Sequence, residues 1–134
     1  MKYLLAVASF ALAACVAVSH TRMDTTWKGE AHPGVMSTLA FELDGDARWS
    51  FDLPSGSDVY ELKYELVSAA PGPMHLDLTG FTKGPLAGKT LYGIAEWDQE
   101  TLRLDAEPGD PAKGGESVRP KTFTDQTRVF KRVR

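Results

Sequence analysis

Val59-Tyr60-Glu61-Leu62-Lys63-Tyr64-Glu65-Leu66 places an apolar or aromatic side chain at every second position. In an extended chain Tyr60, Leu62, Tyr64 and Leu66 share one side, and Glu61, Lys63 and Glu65 share the other. A helix would scatter those charges around its axis, whereas a strand sends all of them to water. The stretch reads as a half-buried antiparallel strand with one face on a core and one face solvated.

The same period extends in both directions. Leu39, Phe41 and Leu43 alternate with Ala40 and Glu42. After the turn signal Asp44-Gly45-Asp46, Trp49, Phe51 and Leu53 alternate with Arg48, Ser50 and Asp52, which predicts a β-hairpin. Met74, Leu76 and Leu78 alternate with His75, Asp77 and Thr79, and Leu102 and Leu104 with Arg103 and Asp105. Thr90 to Trp97 and Arg128 to Val133 have the β-branched and aromatic content of strands, and Asp24 to Gly29, around Trp27, supplies a first one. Gly and Pro fill the gaps (Pro54-Ser55-Gly56, Pro71-Gly72-Pro73, Gly84-Pro85, Pro108-Gly109-Asp110-Pro111). About eight short strands at even spacing predict an all-β fold, an antiparallel up-and-down barrel whose closure removes edge strands.

The chain begins differently. Lys2, an apolar run from Tyr3 to Leu12 and small residues before Cys15, the only cysteine, have the shape of a signal peptide. The apolar stretch ends at Val18, before His20, Thr21 and Arg22, short of the about 20 residues that span a bilayer. Leu12-Ala13-Ala14-Cys15 resembles a bacterial lipoprotein signal. That resemblance implies cleavage before Cys15, acylation of its thiol and amine, and a lipid anchor of two or more chains. The expected organisation is a signal over residues 1–14, a tether over 15–23 and the barrel over 24–134. The expected setting is the cell envelope, lipid-anchored and facing the periplasm or exterior; Val16 after the cysteine, where Asp would retain the protein, points to the outer membrane by the same resemblance. An ordinary secretory signal cut near Ala11-Leu12-Ala13, leaving Cys15 a free thiol, is the alternative. A lone cysteine forms no internal disulfide.

The remainder is long enough for one core. A net charge of −3 argues against general nucleic-acid binding. Arg119, Lys121, Arg128, Lys131, Arg132 and Arg134 crowd the C-terminus after Glu96, Asp98, Glu100, Asp105, Glu107 and Asp110; these read as paired or solvated strand faces.

Leu76-Asp77-Leu78-Thr79, Gly84-Pro85-Leu86-Ala87-Gly88-Lys89-Thr90-Leu91-Tyr92-Gly93-Ile94 and Trp97-Asp98-Gln99-Glu100-Thr101-Leu102-Arg103-Leu104 resemble the lipocalin-like hypothetical domain family abundant in planctomycetes. Thr26-Trp27-Lys28 is similar to its opening, and Arg119-Pro120, Phe123 and Val129-Phe130-Lys131-Arg132-Val133 to its close. The resemblance covers roughly Asp24 to Arg134. Thr25 departs from it, two residues before the Trp, where related barrels commonly have Gly. The resemblance implies a lipocalin-like barrel in a secreted setting and carries over no catalytic residue. It also implies that Trp27 packs across one barrel end beneath a cation from the last strand, Arg128 or Arg132.

Catalytic groupings are not found. There is no Gly-x-Ser-x-Gly elbow, and Pro54-Ser55-Gly56-Ser57-Asp58 has turn chemistry. His20 lies in the tether, His32 before Pro33 reads as loop and His75 as an outward strand residue, with no pair at metal-ligand spacing. Asp44-Gly45-Asp46 lacks the ligands of an EF-hand, and Asp77 lacks a second carboxylate at a definable distance. The expectation is a protein that is not an enzyme and holds no metal or cofactor.

The aromatic face remains. Phe41, Trp49, Phe51, Tyr60, Tyr64 and Tyr92 are expected to point inward, where an eight-stranded barrel either fills with side chains or holds one small ligand. A pocket for an apolar or amphipathic molecule would be lined by Phe41, Phe51, Tyr60, Tyr64 and Tyr92, with Glu107 to Arg119 as its rim. The expected function is a monomeric, lipid-anchored binder of a small ligand. A packed barrel that meets an envelope protein through its surface is the rival.

Overall fold

The computed structural model describes residues 20–134 of the chain, so Cys15 and the signal over residues 1–14 lie outside the described residues. Nine strands follow in order: β1 (His20–Thr21), β2 (Thr25–His32), β3 (Val35–Phe41), β4 (Asp46–Leu53), β5 (Gly56–Val67), β6 (Met74–Thr79), β7 (Thr90–Trp97), β8 (Thr101–Gly109) and β9 (Arg128–Val133). From β2 to β9 each strand pairs antiparallel with the next, and β9 returns to pair with β2. The result is a closed eight-stranded antiparallel barrel. The two-residue β1 adds to β5 beyond the start of β4, with His20 opposite Val67.

Closure depends on one small residue. Gly29 sits opposite the β9 backbone so closely that a Cβ would lie 2.6 Å from the Val129 carbonyl oxygen. With only hydrogen there, Trp27 pairs with Arg132 and Lys28 with Lys131. Gly29 also leaves room inside for Ser37, fully buried, whose Oγ donates to the Gly29 carbonyl at 3.0 Å.

The period-two reading sets the interior. Leu62, Tyr64 and Leu66 of β5 point inward, joined by Trp27, Leu39, Phe41, Trp49, Leu76, Leu78, Leu102, Leu104 and Phe130. One end is sealed. There Met23 is buried, and its backbone N–H donates to the Tyr64 hydroxyl at 2.9 Å, which donates to the Glu42 carbonyl at 2.6 Å. Residues 20–23, assigned to a tether from sequence, are thus part of the barrel: the strand pairing of β1 and the burial of Met23 hold them there. Leu43 is also placed differently from the alternating pattern, 63% exposed in the turn that follows β3.

Strand β7 departs from simple alternation because both of its faces are covered. Leu91 and Ala95 join the core, while Tyr92 and Ile94 on the outer side are buried as well. Of two short 3-10 turns, Pro111–Lys113 and Gly115–Val118, the second lies against the outside of β7 and β8 and the first packs on it. The Arg119 side chain, 8% exposed, locks this cover. Its Nη1 donates to the Gly93 carbonyl at 2.8 Å and makes an ionic contact at 2.7 Å with Asp77 Oδ1, without hydrogen-bond alignment, while the guanidinium lies 5.4 Å from the Tyr92 ring centroid. Of the segment expected as a rim, Glu107 and Pro108 at the end of β8 do border the cavity at the open end, whereas Gly115 to Arg119 forms an outer cover.

Candidate functional site

The end opposite Met23 is open. There residues of β2, β4 and β8 and the starts of β3, β5, β7 and β9 surround a cavity of about 430 Å³. Its wall is mostly apolar, with Trp49 and Phe51 from β4, Tyr60 from β5, Leu91 from β7 and Ala106 from β8. The rings form a continuous series by tilted and edge contacts: Trp49 to Phe51 at 5.0 Å between centroids, Phe51 to Tyr60 at 5.7 Å and Tyr60 to Phe81 at 5.7 Å. Trp49 also meets Phe130 at 6.5 Å, which ties the cavity wall to the packed interior.

The loop between β6 and β7 covers part of the opening. It contributes Phe81, Pro85 and Leu86 to the cavity. Lys83 Nζ lies 2.6 Å from Asp58 Oδ1 and 4.8 Å from the centroid of Tyr60, fastening the loop to the start of β5. Gly84 has φ +71°, and a Cβ there would come within 3.1 Å of the Tyr60 hydroxyl. Backbone conformation and space both favour glycine at this contact.

Asp58, Glu107 and Arg128 bring charge near the strand ends, and Asp105 stands in the middle of β8. Asp58 is held below the usual carboxylate range by its hydrogen bond from Lys83, and burial, followed by the neighbouring Asp58, pushes the Tyr60 hydroxyl up. Arg128 donates from Nε to the Ala31 carbonyl at 2.9 Å and presents its guanidinium at the opening. Asp105 is buried beside it, with Oδ2 accepting from Thr124 N–H, Thr124 Oγ1 at 2.8 Å and Thr127 Oγ1. That carboxylate pins the segment before β9. Among the described residues, the cavity wall contains no serine, threonine or cysteine.

The aromatic residues expected to line one pocket are divided among three places. Phe51 and Tyr60 border the cavity, as does Trp49. Phe41 and Tyr64 make an edge contact at 4.9 Å at the sealed end, in the packed core. Tyr92 is a correction: it faces outward beneath Arg119, because β7 puts Leu91 and Ala95, not Tyr92, on the inner side.

The barrel-end pair is corrected in part. Trp27 is completely buried and stands opposite Arg132 on β9, so the two share the inner side. Among the described residues, however, no guanidinium lies over the indole; its Nε1–H donates to Thr25 Oγ1 at 2.8 Å. Arg128 lies at the other end, on the cavity opening. Thr25 thus supplies the acceptor for the indole.

Phe81, Leu86, Leu91 and Ala106 are cavity residues that alternation did not single out. The signal for the first two is an apolar pair inside a Gly- and Pro-rich loop, where water would otherwise be expected to face the chain. At the sealed end, Glu42, Asp44 and Asp46 bring carboxylate oxygens within 4.8 Å of one another. Asp44 Oδ1 accepts from the Asp46 N–H and Asp46 pairs with Lys63, which are the interactions of a hairpin turn.

Compared with family models, curated proteins and solved structures, the chain matches none of them. Among the described residues, no helix is long and apolar enough to cross a membrane.

Proposed function

We propose that this protein is a lipid-anchored, non-catalytic envelope protein that binds a small apolar or amphipathic molecule in the open end of a lipocalin-like barrel. The observation that carries the reading is the cavity of about 430 Å³ bounded by Trp49, Phe51, Tyr60 and Phe81. Ligand sites are concave, mostly apolar and of about 300–1,000 Å³, with a few polar groups near the opening. An eight-stranded interior filled throughout by side chains would leave no such space. The cavity therefore favours a ligand over a partner bound only through the barrel's surface. Attachment rests on the sequence alone: the order Lys2, apolar run, small residues, Cys15 is that of lipoprotein processing. The planctomycete lipocalin-like resemblance supports the same setting.

Native mass spectrometry of the full chain, purified from its own envelope in mild detergent, tests the reading. A copurified small molecule released on unfolding is the expected result. A chain that carries only its acyl groups and takes up no apolar probe contradicts it. Cys15→Ser should release the protein from membranes; retention after carbonate washing would refute the anchor.

A further inference from the structure

The chain meets the barrel at the end away from the cavity. Strand β1 runs antiparallel to β5, with His20 opposite Val67, the last of the 12 residues of β5. Asp58, which borders the cavity, is the third residue of the same strand. Two contacts hold the entering residues at the sealed end. Met23 N–H donates to the Tyr64 hydroxyl, and the Arg22 guanidinium lies against the β3–β4 turn, where a Cβ on Gly45 would come within 3.5 Å of its Nε.

Two lengths then matter. His20 stands five residues after Cys15, and five residues reach at most about 18 Å when fully extended. Strand β5 runs the length of the barrel; at about 3.3 Å per residue and a tilt of about 40°, its 12 residues measure about 28 Å along the axis. The link is shorter than the barrel. A mouth pressed against the bilayer would need a link that runs the whole barrel length, from the headgroups up to His20.

We propose that the lipid anchor holds the sealed end towards the membrane and presents the mouth of the cavity to the aqueous space. This rests on the anchor at Cys15 proposed above. Laying the barrel on its side is opposed by its outer faces, where Arg48 pairs with Glu61 and Arg103 with Glu96, all four well exposed; against acyl chains those charges would lose their water. Leu53, 39% exposed, and the loop residues Pro85 and Leu86 then stand in water at the mouth and not in the leaflet. A ligand reaches the cavity through water. One acyl chain gives reversible membrane binding whereas two give stable anchoring, so the molecule that can make this passage carries a single chain or a ring system of similar size.

The test uses the full acylated chain on phosphatidylcholine vesicles. Cys15 is the only cysteine and the anchor consumes its thiol, so a thiol-reactive fluorophore labels an introduced cysteine alone. Leu43→Cys marks the β3–β4 turn at the sealed end and Ser55→Cys the β4–β5 turn at the open end, both at exposed positions; Gln99→Cys, in the exposed β7–β8 turn, is a second sealed-end mark. Energy transfer to an acceptor on the lipid headgroups should be at least about twofold more efficient from positions 43 and 99 than from 55, because the two ends are about 28 Å apart. Vesicle-bound protein with equal transfer from both ends, or more from position 55, overturns the orientation and leaves the anchor intact. Protein that stays in solution, or a fluorophore that labels the unsubstituted chain at Cys15, refutes the anchor and the orientation with it.

Discussion

The Tyr64 hydroxyl accepts a hydrogen bond from the backbone N–H of Met23 at 2.9 Å, tying the residues that lead into the barrel to a ring in the last third of its longest strand. The same hydroxyl donates to the Glu42 carbonyl, so one oxygen joins β5, the β3–β4 turn and the entering chain. Tyr64→Phe keeps the ring and removes both bonds. It should cost about 1–3 kcal/mol, with loss of hydrogen-exchange protection at the Met23 amide. An unchanged unfolding midpoint with Met23 still protected would mean that the seal is held by packing alone.

Trp27 should behave as core. It is fully buried, and Trp27→Ala is expected to cost about 3–5 kcal/mol in urea unfolding. Because no guanidinium covers the indole, Arg132→Gln should stay within about 0.5 kcal/mol of wild type. A large loss in the arginine variant would instead indicate a stacked Arg132–Trp27 pair.

Arg119 holds the outer cover through Asp77, Gly93 and Tyr92. Arg119→Ala leaves a half-buried carboxylate without its cation and a carbonyl without its donor, and should destabilise by about 1–3 kcal/mol. Arg119→Lys should not restore the loss, since an ammonium cannot reproduce the planar contacts to both oxygens and the ring. Equal stability of the lysine variant and wild type would reduce the role of Arg119 to charge.

His75 adds a pH dependence. Burial first, and the Arg119 charge second, hold its imidazole below the usual value, against smaller opposing effects of Asp77 and Glu116. Above about pH 6.5 His75 is neutral in both the folded and unfolded chains. As pH falls below that value the unfolded chain takes the proton first, so stability is lost until the folded value is passed. Wild type should therefore lose more stability than His75→Gln between about pH 7 and pH 5. A relative gain by wild type on acidification would show that the site favours the charged ring.

Strands whose two faces meet different surroundings were legible in the sequence; strands covered on both sides were not. Tyr60 to Leu66 alternates with Glu61, Lys63 and Glu65, so water and core fix its phase, and Trp49 and Phe51 follow by the same rule. In β7 the outer side is covered by the segment that carries Arg119, so Leu91, Tyr92, Ile94 and Ala95 are all buried and alternation gives no phase. That is why Tyr92 was expected inside. The β6–β7 loop has no period at all, and only its contact with Tyr60 brings Phe81 into the site. Phe51 and Tyr60 were thus readable as cavity residues from chain pattern and Trp49 as an inward-facing one, whereas the covering loop depends on contacts between distant segments.

If the open end binds a ligand, a variant that fills the cavity should lose it. Ala106 faces the cavity from β8, and Ala106→Phe places a ring in that space. Titration of both proteins with the uncharged fluorophore N-phenyl-1-naphthylamine, alongside urea unfolding, separates occupancy from folding. Wild type should bind saturably at one site and the variant at least about tenfold more weakly, with a cooperative unfolding transition retained. No saturable binding by wild type, or equal binding by a folded Ala106→Phe, would contradict ligand binding at the open end.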